Sequence, residues 1–207
     1  MALDTEEEQV EKIERLWNSY KYLIITGIVV FIGVYFSYGI YLDNKIKKTE
    51  QASQLYQEIL IKKIVDIDLI KEKVGLLKQN SSNTPYASRS AIYLSKLYSQ
   101  ESKNEEAIKE LIWASENATE ESIQSLAYYH LANLYFIANK LDQAMDAAKK
   151  INTIGFQTLA QDIIGDIHLK QGNKEQASKS YLDSLKSHKG PGNMRKILQN
   201  KIDSIGK

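Results

Sequence analysis

The chain has 207 residues, with 27 Lys+Arg against 26 Asp+Glu, a formal net charge of +1 and 43% hydrophobic residues. That balance excludes a strongly basic nucleic-acid binder judged on charge, and two prolines and ten glycines exclude a collagen-like or disordered chain. With no cysteine there is no disulfide framework, no thiolate metal site and no Cys nucleophile.

The first 21 residues hold six acidic groups (Asp4, Glu6, Glu7, Glu8, Glu11, Glu14) against Lys12, Arg15 and Lys21, and read as an acidic tail. Tyr22 to Leu42 then run for 21 positions without Asp, Glu, Lys or Arg. As a helix this stretch spans roughly 30 Å, the thickness of a bilayer's hydrocarbon core. Trp17, Tyr20 and Tyr22 at one end and Tyr35, Tyr38 and Tyr41 at the other supply interfacial aromatic belts. The reading is an uncleaved single-pass membrane helix. A signal peptide has a shorter apolar core, and Ser37-Tyr38-Gly39 is only a marginal small-x-small cleavage site. A buried core helix seldom goes so far without charge. Three cations precede the span and Lys45, Lys47 and Lys48 follow it, so the positive-inside rule leaves the orientation open. Gly33 and Ser37 form a small-xxx-small pair, with Thr26 and Val30 on much the same face, where another membrane helix can approach.

Residues 43–85 read as linking and N-terminal capping helices. No Pro or Gly interrupts 43–63, so the membrane helix is expected to run on into it, and Asp66–Gln79 forms a second helix. The run NSSNTP at 80–85 breaks the pattern, and Pro85 suits the first turn of the next helix.

An internal repeat fills residues 86–207, in units of about 88–121, 125–154 and 158–187. Ala107, Ala144 and Ala177 are separated by 37 and 33 residues. Nine positions upstream stand Tyr98, Tyr135 and His168, and twelve upstream the small residues Ser95, Ala132 and Gly165, preceded by Leu94, Leu131 and Ile164. Leu111, Ala148 and Tyr181 follow each alanine by four. Two antiparallel helices cross closely only where side chains are small, with large apolar neighbours around the crossing. The pattern resembles the tetratricopeptide repeat, although Thr119, Phe156 and Lys189 stand where that repeat closes with proline. Residues 192–205 read as an amphipathic capping helix with Met194, Ile197, Leu198, Ile202 and Ile205 on one side. The fold class is all-α: one transmembrane helix, then a degenerate repeat array and its cap.

No catalytic, cofactor or metal motif emerges. His130, His168 and His188 are scattered, and His168 occupies a core position of the repeat. Asp162 and Asp166 lie four apart without a third ligand and read as surface carboxylates. No GxSxG, P-loop or dinucleotide fingerprint occurs, so the chain is expected to be a binding protein and not an enzyme. One face of each first helix would line a partner groove: Arg89, Ile92, Lys96 and Ser99, then Leu126, Tyr129, Asn133 and Phe136, then Leu159, Asp162, Asp166 and Leu169. Such a mixed apolar and charged row suits a protein partner, unless the protein's own N-terminal helices cover it. Asp162 and Asp166 are expected to repel an acidic C-terminal tail.

The whole order of parts resembles the bacterial YfgM family of ancillary SecYEG translocon subunits. The likeness is sharpest in AMDAAKKINTIGFQTLAQDIIGDIHLKQGNKEQASKSYLDSL, where Asp162, Gly165, Asp166, Leu169, Gly172 and Lys174 fit the D-x-x-G-D-x-x-L-x-x-G-[ND]-K run after the Gly155-Phe156 turn. The opening EEEQVEKIERLW is similar to that family's acidic start. The resemblance implies an inner-membrane protein with a cytoplasmic N-terminus and a periplasmic repeat domain. It also implies association with SecYEG and with a PpiD-like periplasmic chaperone, in aid of newly exported client proteins. The alternative is a repeat adaptor facing the cytoplasm and serving another envelope assembly complex.

Overall fold

The computed structural model describes residues 6–61, 66–190 and 192–206, all in helices and the turns between them, with no strand among the described residues. The chain divides into two compact units, residues 1–48 and 49–207. A single helix, α1, spans Glu6–Ile61, so its first residues make up the first unit and its last turns belong to the second. The expected continuation past Leu42 is therefore present as far as Ile61; the residues expected at 62 and 63, like Asp4 of the acidic tail, lie outside the described ones.

Within the first unit, apolar side chains emerge on every face of α1, and none of the apolar stretch is buried by protein. Tyr22 is 75% exposed and Phe31 71%. A helix apolar all round needs apolar surroundings. Protein does not supply them here, which removes the buried-core reading and leaves lipid as the medium that fits. Gly33 and Ser37 are exposed, and a Cβ added at Gly33 would meet nothing within 4 Å.

The second unit stacks short helices. At its start, Ala52 and Ile59 of α1 are buried with Ile70, Val74 and Leu77 of α2 (Ile67–Asn80). Asp66 caps α2, its Oδ1 accepting from the Leu69 N–H at 3.2 Å. The polar break follows, closed by the Thr84 hydroxyl donating to the Ser81 carbonyl at 2.7 Å, and Pro85 opens α3 (Pro85–Gln100). Three helix pairs come next: α3 with α4 (Asn104–Asn117), α5 (Glu121–Ile137) with α6 (Leu141–Lys149), and α7 (Gln157–Lys170) with α8 (Lys174–Ser187). Helix α9 (Asn193–Ile205) packs on α8.

Each pair closes as the small residues require. Ala107, Ala144 and Ala177 are fully buried. At Gly165 the fit is close: a Cβ built there would stand 2.4 Å from the Tyr181 ring, itself fully buried. The turns share one geometry. Ser102, Asn139 and Gly172 sit at φ 62°, 60° and 82°, each five positions before its alanine. After each, a backbone N–H returns to the carbonyl five residues earlier: Lys103 to Tyr98 at 2.8 Å, Lys140 to Tyr135 at 2.8 Å, and Asn173 to His168 at 2.9 Å. This left-handed C′ residue with its back-reaching N–H terminates a helix and reverses the chain in one step.

The cap helix α9 brings Leu198 into a small core with Ala177 and Tyr181, joined by Met194, Ile202 and Ile205. Ile197, expected on that face, is 48% exposed. Its place in the sequence, one residue before the buried Leu198, turns it toward the rim of the stripe.

Candidate partner-binding site

Between α3 and α5 lies a cavity of about 460 Å³. Arg89, Ile92, Lys96 and Ser99 line it from α3, and Ile123, Leu126, His130 and Leu134 from α5. Leu111 of α4 contributes to the lining, and Tyr56 of α1 closes one end. Helix periodicity explains the roles: steps of three and four place 92, 96 and 99 on one face of α3 and 126, 130 and 134 on one face of α5. Arg89 is committed, its Nη2 donating to Glu120 Oε2 at 2.6 Å. The Ser99 hydroxyl is turned to its own helix, donating to the Ser95 carbonyl at 3.0 Å. Lys96 is exposed. Burial pushes the pKa of His130 below its ordinary 6.5, and the charge of Lys96 pushes it the same way. The imidazole is therefore neutral at neutral pH.

The third repeat is built differently. Lys201 of α9 donates to Asp162 Oδ1 at 2.6 Å and to Asp166 Oδ1 and Oδ2 at 2.8 and 2.9 Å. The Tyr181 hydroxyl donates to Asp166 Oδ1 at 2.7 Å, and the Lys201 ammonium lies 5.2 Å from the Tyr181 ring centre. The two carboxylate side chains are only 17% and 27% exposed, so they are not the surface carboxylates the sequence suggests. Burial raises the pKa of Asp162 in spite of Lys201. Burial alone would lower that of Lys201, but the hydrogen bonds it donates to the two carboxylates outweigh it and hold the ammonium charged. Paired with one ammonium, the two carboxylates keep a smaller net charge than the free pair the sequence suggests, and so less of the expected repulsion of an acidic tail.

A tetratricopeptide repeat-like domain profile matches residues 14–207. The chain belongs to that family. Several relatives carry one name, ancillary SecYEG translocon subunit. The protein of that name from Aggregatibacter actinomycetemcomitans is 29% identical over 187 residues, covering 87% of this chain and 89% of the relative. The one from Neisseria gonorrhoeae is 23% identical over 99% of this chain and 100% of its own, and that from Escherichia coli 19% over 98% and 97%. These are the relatives that the D-x-x-G-D run and the order of parts suggest.

Within this repeat-like domain the residues expected to form one continuous groove separate into three environments. Arg89, Ile92, Lys96, Ser99 and Leu126 share the cavity. Tyr129, Asn133 and Phe136 are half-buried and do not line it. The Asn133 amide donates to the Tyr129 carbonyl at 2.7 Å, and Phe136 lies under Lys170, whose Nζ is 4.6 Å from the ring centre. Leu159 is half-buried and Leu169 lies at the surface, while Asp162 and Asp166 are held by Lys201. The sequence reading passed over His130 and Leu134 because it stepped from Leu126 to Tyr129. A step of four, equally allowed on a helix, leads to both. His168 is half-buried, with a buried Nδ1 that has no hydrogen-bond partner among the described residues, as befits a packed position. Among the described residues no three His, Asp or Glu side chains stand together as a metal site.

Proposed function

We propose that this protein is a membrane-anchored, non-catalytic scaffold that associates with the SecYEG translocon, recruits a PpiD-like periplasmic chaperone and aids newly exported proteins. The observation that carries this reading is the pairing of a membrane-length apolar helix, unburied by protein, with a repeat domain that keeps a lined cavity. The shared name of the relatives supports the translocon as the site of action. The mechanism is tethering. Anchoring confines the repeats near the membrane and raises the effective concentration of a weak contact, so a modest interface suffices. In this reading the N-terminus is cytoplasmic, the repeats periplasmic and the membrane the bacterial inner membrane.

Affinity purification of the full chain from detergent-solubilised membranes tests the partners. SecY and a membrane-anchored periplasmic chaperone should co-purify, and recovery of neither defeats the reading. Protease added to spheroplasts tests the orientation. Loss of the repeat domain from outside is expected; protection would favour the cytoplasm-facing adaptor instead. Photo-crosslinkers at Lys96 and Leu126 should capture a partner, with Tyr129 and Phe136, off the cavity, as weaker sites.

A further inference from the structure

The cavity between α3 and α5 has a chemical bias that narrows its occupant. Its floor is aliphatic, with Ile92, Leu126 and Leu134, and no carboxylate lines it. Of its two cations, Arg89 is neutralised by Glu120, whereas Lys96 makes no ion pair among the described residues. His130 lines the cavity, near enough to Lys96 for the ammonium's charge to act on its ring. An apolar hollow of this size, lined by one ammonium without an ion pair and by a neutral imidazole, and by no carboxylate, lacks an anion. The comparison within the same domain is direct. In the third repeat the opposite charges, Asp162 and Asp166, are satisfied by the protein's own Lys201. No described segment of the chain does the same for Lys96.

We infer that the cavity takes a segment of a partner protein in which a bulky apolar side chain is flanked by carboxylates. The apolar group enters between Ile92, Leu126 and Leu134, and a flanking Asp or Glu meets Lys96 and His130. This inference rests on the cavity being the partner site proposed above, and it names the sequence chemistry of the partner. A basic or purely apolar segment would leave Lys96 facing a like charge or no charge, and would be disfavoured at the rim.

Fluorescence anisotropy on the full chain in zwitterionic-lipid nanodiscs tests it. The probe is a short fluorescein-labelled peptide with Phe-Leu at its centre and Glu on both sides, compared with twins carrying Gln or Lys there. The Glu peptide should bind about tenfold tighter than the Gln twin, the size of one charge-assisted hydrogen bond. Lys96→Met should bring the Glu peptide to the Gln level, and Lys96→Glu should reverse the order in favour of the Lys peptide. Lys96 is exposed, so both variants are expected to keep the fold, checked by helicity and melting. Leu126→Trp, filling the cavity, should weaken all three peptides. Equal binding of the three peptides, still blocked by Leu126→Trp, overturns this inference and leaves the cavity as the partner site. No binding by any peptide, or binding indifferent to Leu126→Trp, overturns both.

Discussion

The first and third repeats present equivalent faces to different fates. In the first, α3 turns Ile92 and Lys96 toward a cavity that α5 completes and that Tyr56 closes only at one end. In the third, α7 turns Asp162 and Asp166 toward α9, and Lys201 bonds both. The repeat thus fixes where a side chain stands on its own helix, and the helix that follows the array decides whether that side chain meets solvent or protein. The lined cavity lies toward the N-terminal end of the array, nearest in sequence to the apolar helix, while at the C-terminal end α9 packs on the last repeat.

The largest effect should come from breaking the closed end where α7 and α8 cross at Gly165. Gly165→Ala places a methyl group within 2.4 Å of the Tyr181 ring, which is fully buried and hydrogen-bonded to Asp166. Overpacking of this kind costs about 3 kcal/mol. It should appear as a clear fall in Tm of the detergent-solubilised chain, with Tyr181→Leu in the same molecule restoring part of the loss. A melting curve unchanged by Gly165→Ala would mean that the two helices do not cross at this residue.

Next in size is the latch itself. Lys201→Met leaves two half-buried carboxylates without their cation, at a cost of about 2 kcal/mol. The pH dependence follows from Asp162, whose pKa burial already raises while Lys201 draws it back. Without Lys201 it rises further. The folded state then holds its proton more tightly than the unfolded chain, whose carboxyl titrates near 3.8. The penalty is therefore full above the folded value and fades as pH falls through it. Melting of Lys201→Met and the parent at a series of pH values should show the gap narrowing toward pH 4, and a constant gap would place the effect in packing alone.

How much of this contrast was legible beforehand depends on the range of the interaction. The helix pairs were legible because small residues at a fixed spacing carry a steric requirement, and Ala107, Ala144 and Ala177 are buried as that requirement demands. The apolar helix was legible because 21 uncharged positions admit few environments. The fate of Asp162 was not, since its partner lies 39 residues away on a helix whose docking no local pattern specifies. His130 was missed for a different reason. Steps of three and four are both allowed from Leu126, and only the packing of α5 against α3 and α4 selects between them. Also hidden was the shared left-handed residue of the turns, because Ser, Asn and Gly look unlike in sequence although they serve one backbone geometry.

Those turns give a smaller test of the repeat symmetry. Gly172 adopts φ 82° without strain, whereas Ser102 carries a Cβ at φ 62°. Ser102→Gly should stabilise the first repeat by about 0.5–1 kcal/mol, Asn139→Gly should gain less because Asn tolerates this region, and Gly172→Ala should lose about 1 kcal/mol. Thermal melts of the three variants would rank them. A loss in Ser102→Gly would show that the serine side chain, and not its backbone angle, holds that turn.

The smallest expected effect sharpens the open end. His130 is held neutral by burial, helped by the charge of Lys96, so its folded pKa lies below the ordinary 6.5. The unfolded chain then binds this proton more readily, and stability rises with pH wherever it does so. The contribution is complete above pH 6.5 and is lost as pH falls from there toward the folded value. His130→Gln should flatten that part of the Tm profile, and Lys96→Met should shrink it, because one of the two forces opposing the proton is gone. If Lys96→Met left the profile unchanged while His130→Gln flattened it, burial alone would account for the neutral imidazole. The ammonium would then be too well screened to favour a carboxylate at the cavity's edge.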